Sequence, residues 1–391
     1  MMTEYTITAT CTFGLESILK REIIKLGYEI EQSADGAVSI RGGINDVYKL
    51  NLWLRTANRV LIHIADFPAN TFDELFDHVK EIPWENYLKT DSKFDVSKIN
   101  CVKSKLFSKS DCQSIIKKAM IERLKKKFKV ERMPESGPNF PLFVNIKNDV
   151  AHLFLNTSGE SLHRRGYRLQ AGEAPLKETL AAGIIRLIGY EGGIQQFADI
   201  MCGSGTFVIE AAMIAANMPP GLNRSFAFEA WGWMKPEDKE RILAEAKENI
   251  RQPEVRLLGS DIDGGVLKLA RENAIRAGVE EFVSFQKLDF REFKSKKHFG
   301  AMIVNPPYGE RIGADKETQK IYEDLRKVYD DLVGWKLFVL SGNDDFQRYF
   351  GKKADKNRKL FNGNMQTYLY QYFPEQSPRE YAETKYEPRE D

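Results

Sequence analysis

Asn305-Pro-Pro-Tyr308-Gly309 is the segment of this chain best suited to do chemistry. Consecutive prolines Pro306 and Pro307 hold the backbone extended and rigid. The Asn305 side-chain oxygen and the Pro306 carbonyl can then accept the two hydrogens of one planar amine, while Tyr308 stacks on the attached ring. An amine held this way keeps its nitrogen lone pair aimed at an electrophilic methyl group. Taken alone the segment is also compatible with a proline turn ending a strand. A second segment, Asp199-Ile-Met-Cys202-Gly203-Ser204-Gly205-Thr206, weighs against that reading. It falls at a predicted strand-to-helix junction, where glycines permit a tight turn and let backbone N–H groups approach a ligand.

This glycine turn is not a dinucleotide fingerprint, because Val208 stands where a third glycine belongs, and no Gly-Lys-Ser/Thr makes it a phosphate loop. Asp199 would repel a pyrophosphate and accept from an ammonium, which suits a cationic ligand bearing an amino acid. Cys202, inside the turn, reads as a small packing residue rather than a catalytic thiol. Two later strand ends repeat the acidic pattern. Asp261 could accept both hydroxyls of a ribose with Ile262 packed on an adenine face; Asp289 could accept from an exocyclic amine with Phe290 stacked on the ring. Each could be a turn or helix cap. Their recurrence at successive strand ends, where open α/β sheets bind ligands, favours one nucleoside-binding site.

The elements that must position these residues form an α/β domain. From Ala174 onward, helices predicted at 175–187, 206–217, 265–277 and 317–332 alternate with strands at 196–200, 255–260, 283–288, 301–304 and 336–340, and an antiparallel pair (359–361, 365–372) closes the domain. The N-terminal part reads as a small αβ unit, with strands at 5–10, 37–41 and 59–67 and helices at 14–26 and 44–54. A segment with a helix at 72–79, a strand at 94–100, a long basic helix and a strand pair at 142–155 follows. Ser110 and Gln113 suggest a capping box at the start of the basic helix. The tail after Pro374 reads as loose.

At 391 residues, with 42% hydrophobic and 29% charged residues, the chain has the composition of a globular protein with two or three domains. No apolar run reaches the roughly 18–20 residues of a membrane span, and the N-terminus lacks a signal-peptide layout, so a cytoplasmic protein is expected. Cys11, Cys101, Cys112 and Cys202 form no Cys-x-x-Cys pair, and the five histidines show no ligand spacing; reduced thiols and no metal are expected. The net charge of +2 hides an asymmetry: the window 98–132 holds twelve Lys/Arg and three Asp/Glu, a balance of +9 against −7 elsewhere. Lys117, Lys118, Lys125, Lys126 and Lys127 lie on the basic helix, and Lys103, Lys105 and Lys109 precede it. Together they make one basic region fit for a polyanion. Arg164, Arg165 and Arg168 form a basic linker, read as a phosphate contact in preference to a merely solvated strip.

The order Asp199-x-x-x-Gly203-x-Gly205, Asp261, Asp289, Asn305-Pro-Pro-Tyr308 resembles the class I S-adenosylmethionine-dependent methyltransferases that modify exocyclic amines of nucleic-acid bases. More narrowly, Ser158-Gly-Glu-Ser-Leu-His163-Arg-Arg-Gly-Tyr167-Arg168, Ala174-Pro-Leu-Lys-Glu178-Thr and Asn305-Pro-Pro-Tyr-Gly-Glu-Arg311-Ile-Gly resemble the THUMP-domain RNA methyltransferases, nearest to the bacterial 23S rRNA guanine-N2 branch. The resemblance covers essentially the whole chain. It implies a Rossmann-like catalytic domain (174–391) joined by a linker (158–173) to a ferredoxin-like unit (1–66) and a THUMP RNA-binding domain (67–157). It also implies S-adenosyl-L-methionine as cofactor and RNA, above all 23S rRNA, as partner. Asp199, Cys202, Gly203, Ser204, Gly205, Thr206, Asp261, Ile262, Asp289 and Phe290 would line the cofactor, and Asn305, Pro306, Pro307 and Tyr308 the reacting amine. The Asn-Pro-Pro-Tyr chemistry serves adenine N6 equally, and only family likeness selects guanine and ribosomal over transfer RNA. A non-catalytic RNA-binding assembly factor is the reading from another class; the three intact acidic positions count against it. An insertion between Gly205 and Asp261, Met218-Pro-Pro-Gly-Leu-Asn-Arg224-Ser-Phe-Ala-Phe228-Glu-Ala-Trp231, carries aromatics expected either to cover the sheet or to line a base pocket.

Overall fold

The structure, a computed structural model, describes residues 4–168, 176–308 and 315–374. The start of the Ala174 motif, the Gly309–Gly313 part of the third motif, residues 169–173 of the linker and the tail beyond Pro374 lie outside these residues. The chain divides into two compact units. The first takes in residues 1–11, 19–162 and 224–245; the second takes in 12–18, 163–223 and 246–391.

In chain order the first unit begins β1 (Tyr5–Cys11), α1 (Glu16–Lys25, whose first three residues group with the second unit), β2 (Gln32–Ala34), β3 (Ala37–Gly42), α2 (Ile44–Trp53), β4 (Ala57–Pro68) and α3 (Phe72–Glu81). It continues with β5 (Lys93–Val102), α4 (Lys109–Phe128), β6 (Asn139–Lys147) and β7 (Val150–Asn156). Its seven strands form one sheet in the order β2-β3-β1-β4-β7-β6-β5. The predicted ferredoxin-like and THUMP segments therefore share a sheet, and β4 is the reason. Its twelve residues are long enough for the first half to pair with β1 (Ile62 opposite Ile7) and the second with β7 (Phe67 opposite Ala151), with a register shift between His63 and Ala65. Period-2 alternation on β6 and β7 sends Leu142, Val144, Ile146, Leu153 and Leu155 into the core, and Ile116, Met120 and Leu124 of α4 are buried as well.

The expected capping box on α4 is absent. The helix starts at Lys109 after Ser108, whose side chain makes no cap, and Gln113 instead donates to the Val96 carbonyl at 2.9 Å. Gln113 bonds the neighbouring strand because α4 packs flat on β5, a tertiary contact that outweighs a local cap.

The second unit contains α5 (Glu178–Leu187), β8 (Gln196–Asp199), α6 (Thr206–Ala215), β9 (Leu257–Asp261), α8 (Gly264–Ala277), β10 (Val283–Lys287), β11 (Gly300–Val304), α9 (Asp315–Asp330), β12 (Lys336–Ser341), α10 (Phe346–Phe350), β13 (Lys356–Asn362) and β14 (Met365–Tyr372). The intervening α7 (Pro236–Glu248) crosses the boundary between the units at Glu245. The sheet order is β10-β9-β8-β11-β12-β14-β13, parallel except for β14, which runs antiparallel to both neighbours. Successive strands run outward from β8 in one direction and from β11 in the other, so the order reverses between β8 and β11. That crevice, at the carboxyl ends, is where open α/β sheets take ligands. All ten residues of α6 are buried, as its apolar sequence predicts.

The insertion departs from expectation. Residues 224–245 group with the first unit rather than with the 174–391 domain. Its aromatics form core there: the Trp231 ring stacks on Phe140 at 4.5 Å between centroids, and Phe226 and Phe228 meet Tyr48 edge-on at 5.9 and 6.1 Å. Phe226, Phe228 and Trp231 are all buried, so they line no base pocket. Among the described residues, no helix is long and apolar enough to cross a membrane.

Candidate active site at the sheet switch point

The glycine turn follows β8 and is held from three sides. Cys202 N donates to the Ser260 carbonyl on β9 (2.9 Å), Gly203 N to Asp261 Oδ2 (2.9 Å) and Gly205 N to the Cys202 carbonyl (2.8 Å). Gly203 and Gly205 have φ of +52° and +84°, a conformation side chains rarely adopt. At Gly205 a Cβ would also press on Phe285 and Ala270 at 3.1 and 3.2 Å. At Gly203 a Cβ would meet nothing within 4 Å, so this edge of the turn is open for close approach. Asn273 of α8 fixes the outer side by donating to the Ser204 carbonyl at 3.0 Å.

Asp199 is buried, and one oxygen accepts from Met201 N at 3.2 Å. Burial pushes its carboxyl up to about 8; the Met201 N–H opposes this and the nearby Asp261 charge adds to it. Among the described residues it joins no salt bridge. The donor set fits a cation better than an anion, because a positive group at this turn would supply the missing charge. Burial also pushes the Cys202 thiol far above the ordinary thiol range, which suits a packing residue and not a nucleophile. Asp261 accepts Gly203 N on one oxygen and Asp263 N (3.0 Å) on the other, with a second lone pair left on each. Ile262 beside it is 63% exposed. An open glycine edge, a buried uncompensated carboxyl and an exposed apolar side chain at the second strand end fit S-adenosylmethionine, with its ammonium, sulfonium and adenosine.

At the third strand end the outcome is mixed. Asp289 is committed to Arg291, accepting its N–H at 3.0 Å and its guanidinium at 2.8 Å. Phe290 is buried in the core with Phe293, Met302 and Val304, and Arg291 lies 4.9 Å over its ring. The expectation that Phe290 stacks on a ligand is corrected: the turn after β10 swings the ring inward.

Beyond β11, Ile303 lies opposite Asp199, so Asn305 stands two residues past that pair at the edge facing the glycine turn. Pro306 is buried and Pro307 exposed, as two rigid residues leaving a strand require. The Tyr308 hydroxyl donates to Asn305 Oδ1 at 2.6 Å, fixing which way the carboxamide points. Three residues not singled out from sequence brace this segment. Tyr322 of α9 donates to the Pro307 carbonyl (2.8 Å), Asn343 donates to the Tyr308 carbonyl (3.0 Å), and a Cβ on Gly342 would come within 3.2 Å of the Tyr308 ring. Gly342 and Asn343 follow β12 directly, and strand-end logic extended by one strand would have found them.

The basic residues separate into two kinds. Lys103, Lys105, Lys109, Lys118, Lys126 and Lys127 are exposed, and Lys117 and Lys125 half-buried. Lys117 is paired with Glu135 at 3.0 Å and Lys127 with Glu85 at 3.4 Å. Of the linker arginines only Arg164 is exposed. Arg165 is buried with its Nε 3.4 Å from Glu210 of α6, where the Tyr167 hydroxyl also donates (3.1 Å). Arg168 pairs with Glu178 at 3.4 Å, and donates to the Leu176 carbonyl and to Thr206 Oγ1 at the end of the glycine turn. Arg165 and Arg168 are therefore corrected from RNA contacts to internal ion pairs. Glu210 and Glu178, absent from the sequence-based set, are what draws them inside.

Comparison with known proteins gives a consistent picture. The RMKL-like methyltransferase domain matches residues 165–371, the RlmL ferredoxin-like domain residues 6–61 and the THUMP domain residues 69–156. The chain is 39% identical over 97% of its length to YpsC, a proposed RNA methyltransferase of Bacillus subtilis (strain 168), and covers 98% of that protein. It is 35% identical over 92% of its length to ribosomal RNA large subunit methyltransferase K/L of Psychromonas ingrahamii, of which it spans 49%. Among solved structures, a proposed methyltransferase complexed with SAH, SMU.472, superposes with a TM-score of 0.88 at 39% identity (96% of this chain, 100% of that one). A protein of Listeria monocytogenes named for N6-adenine-specific DNA methylation does so with 0.88 at 38% identity (95% and 97%).

Proposed function

The chain belongs to the RMKL-like methyltransferase family and is an S-adenosylmethionine-dependent RNA methyltransferase, and from that premise we propose that it methylates an exocyclic amine, guanine N2 of 23S rRNA. The observation that carries this reading is the Asn305-Pro306-Pro307-Tyr308 segment beyond β11, one strand over from the glycine turn of β8 and braced by Tyr322 and Asn343.

When bound, S-adenosylmethionine supplies an electrophilic methyl group. Gly203, Gly205, Asp199, Asp261 and Ile262 would hold it across the ends of β8 and β9. Asn305 Oδ1 and the Pro306 carbonyl accept the two amine hydrogens, and the nitrogen lone pair is left facing the glycine turn. Tyr308 contributes twice: its ring stacks on the base and its hydroxyl sets the Asn305 carboxamide. Oδ1 has two lone pairs, so it keeps the Tyr308 bond while accepting an amine hydrogen. No covalent nucleophile is needed, and the rate comes from proximity and orientation. The exposed lysines of the first unit grip phosphates, while an unstacked base enters the site. The K/L name of the relatives supports a ribosomal target; the chain spans about half the length of those relatives.

Asn305→Ala is expected to lower turnover by about 10²- to 10³-fold, the cost of losing an oriented polar contact at the reacting atom, while cofactor affinity changes less than twofold. Single-turnover methyl transfer together with calorimetric binding of the cofactor measures both. Wild-type turnover by the variant would overturn the assignment.

A further inference from the structure

The loop between β5 and α4 displays an aromatic ring that the fold does not use. Phe107 is 81% exposed, while its neighbour Leu106 is buried and anchors the loop in the core. The loop is not slack. Asp149, on the turn between β6 and β7, accepts Lys105 N at 2.7 Å and the Ser104 hydroxyl at 3.1 Å, and Leu106 N donates back to Ser104 Oγ at 3.2 Å. Lys105 Nζ reaches Asn70 at 3.1 Å, and Asn148 N donates to the Val102 carbonyl at 3.2 Å. Lys103, at φ +49°, turns the chain into the loop. A ring held out on an anchored loop has already lost part of the freedom that binding would otherwise cost.

The chemistry around the ring selects its ligand. Lys103, Lys105 and Lys109 alternate with Ser104, Leu106, Phe107 and Ser108, and all three lysines are exposed. The acids nearby are Asp149, engaged with the loop backbone and 4.0 Å from Lys105 Nζ, Glu74, engaged with Asn70, and Asp111 in the first turn of α4. Val102, 46% exposed, precedes the loop. Cations spaced about an apolar ring suit a single-stranded nucleic acid, which offers phosphates at regular intervals and a π-face on every base. An A-form duplex hides those faces in its stack, and a lone surface Phe without cations would need no ligand at all.

We propose that Phe107 is a stacking platform for an unpaired base of the RNA substrate, with Lys103, Lys105 and Lys109 neutralising the phosphates beside that base. The proposal rests on the reading of the chain as an RNA methyltransferase and specifies what part of the RNA the first unit holds. Single-stranded segments and loops bind here in preference to blunt helices.

The test uses the full chain and two RNA probes: a blunt hairpin, and the same hairpin with a five-nucleotide 3′ overhang containing 2-aminopurine. Wild-type protein is expected to bind the overhang probe about tenfold more tightly and to change the 2-aminopurine emission through stacking. Phe107→Ala removes both effects and leaves blunt-hairpin affinity unchanged; Phe107→Trp restores the preference. Equal binding of the two probes by wild type, or an overhang preference that survives Phe107→Ala, overturns the proposal and leaves the ring to a protein partner. Cofactor affinity and methyl transfer by wild type, measured on the same preparation, report separately on the enzymatic reading: their failure without loss of stacking would sink that reading and not this one.

Discussion

Two sets of basic residues look alike in the sequence and do opposite things in the structure. Lys103, Lys105 and Lys109 of the first unit are exposed, Lys105 with only a long 4.0 Å contact to Asp149, whereas Arg165 and Arg168 of the second are drawn inside into ion pairs with Glu210 and Glu178. The difference lies in partners contributed by other elements: Glu210 is at the middle of the buried α6, and Glu178 opens α5. Burial raises the Glu178 carboxyl while the Arg168 charge holds it down, so each charge makes the other tolerable. A cluster of cations therefore says little about its ligand until the carboxylates within reach are known.

The largest effect is expected from Arg165→Ala. It leaves Glu210 buried without its cation, and urea unfolding should show a loss of about 3–5 kcal/mol, with RNA affinity per folded molecule unchanged. Replacing both partners, Arg165→Met with Glu210→Leu, should recover most of that loss, because an apolar pair of similar volume needs no compensation. Loss of RNA binding by the folded single variant would return Arg165 to the RNA-contacting set.

The lysines should give the mirror image. Changing Lys103, Lys105 and Lys109 together to Ala should weaken RNA binding by about 10- to 100-fold at 0.15 M salt. It should lower the slope of log affinity against log salt by about 2–3 and leave the melting temperature within a degree or so. An unchanged salt slope would place the phosphates elsewhere.

Asp199 extends the comparison to a buried acid with no cation among the described residues. With its carboxyl raised to about 8, the free protein carries the proton below that pH and ionises above it. A cationic ligand favours the ionised form, so cofactor affinity should rise by at most about tenfold per pH unit up to pH 8 and then level off, with a proton released on binding below pH 8 and taken up again on dissociation. Asp199→Asn should bind more weakly and without this slope. In the ligand-free protein the sign runs the other way: stability falls as pH rises from about 4 to 8, where the unfolded chain has already lost the proton that the folded one keeps.

How far the sequence could be read follows the same division between local and distant causes. The alternating strands and helices of the second unit, the positive-φ glycines after β8 and the rigid proline pair after β11 are local properties, and their expected positions match the observed elements closely. What escaped was set by partners far along the chain. Examples are the inward turn of Phe290, the shared sheet through β4 with its bulge at His63, and the insertion's aromatics docking on Tyr48 and Phe140. The helix α7 was missed because its mostly polar sequence carries little apolar periodicity, and α10 because five residues are too few to show any.

Incubating the protein with methyl-labelled S-adenosylmethionine and total RNA from cells lacking it, then digesting the RNA to nucleosides, identifies the base that receives the methyl group. Label is expected in N2-methylguanosine recovered from 23S rRNA. Label in N6-methyladenosine, or none from a protein that binds the cofactor, would contradict the proposed function.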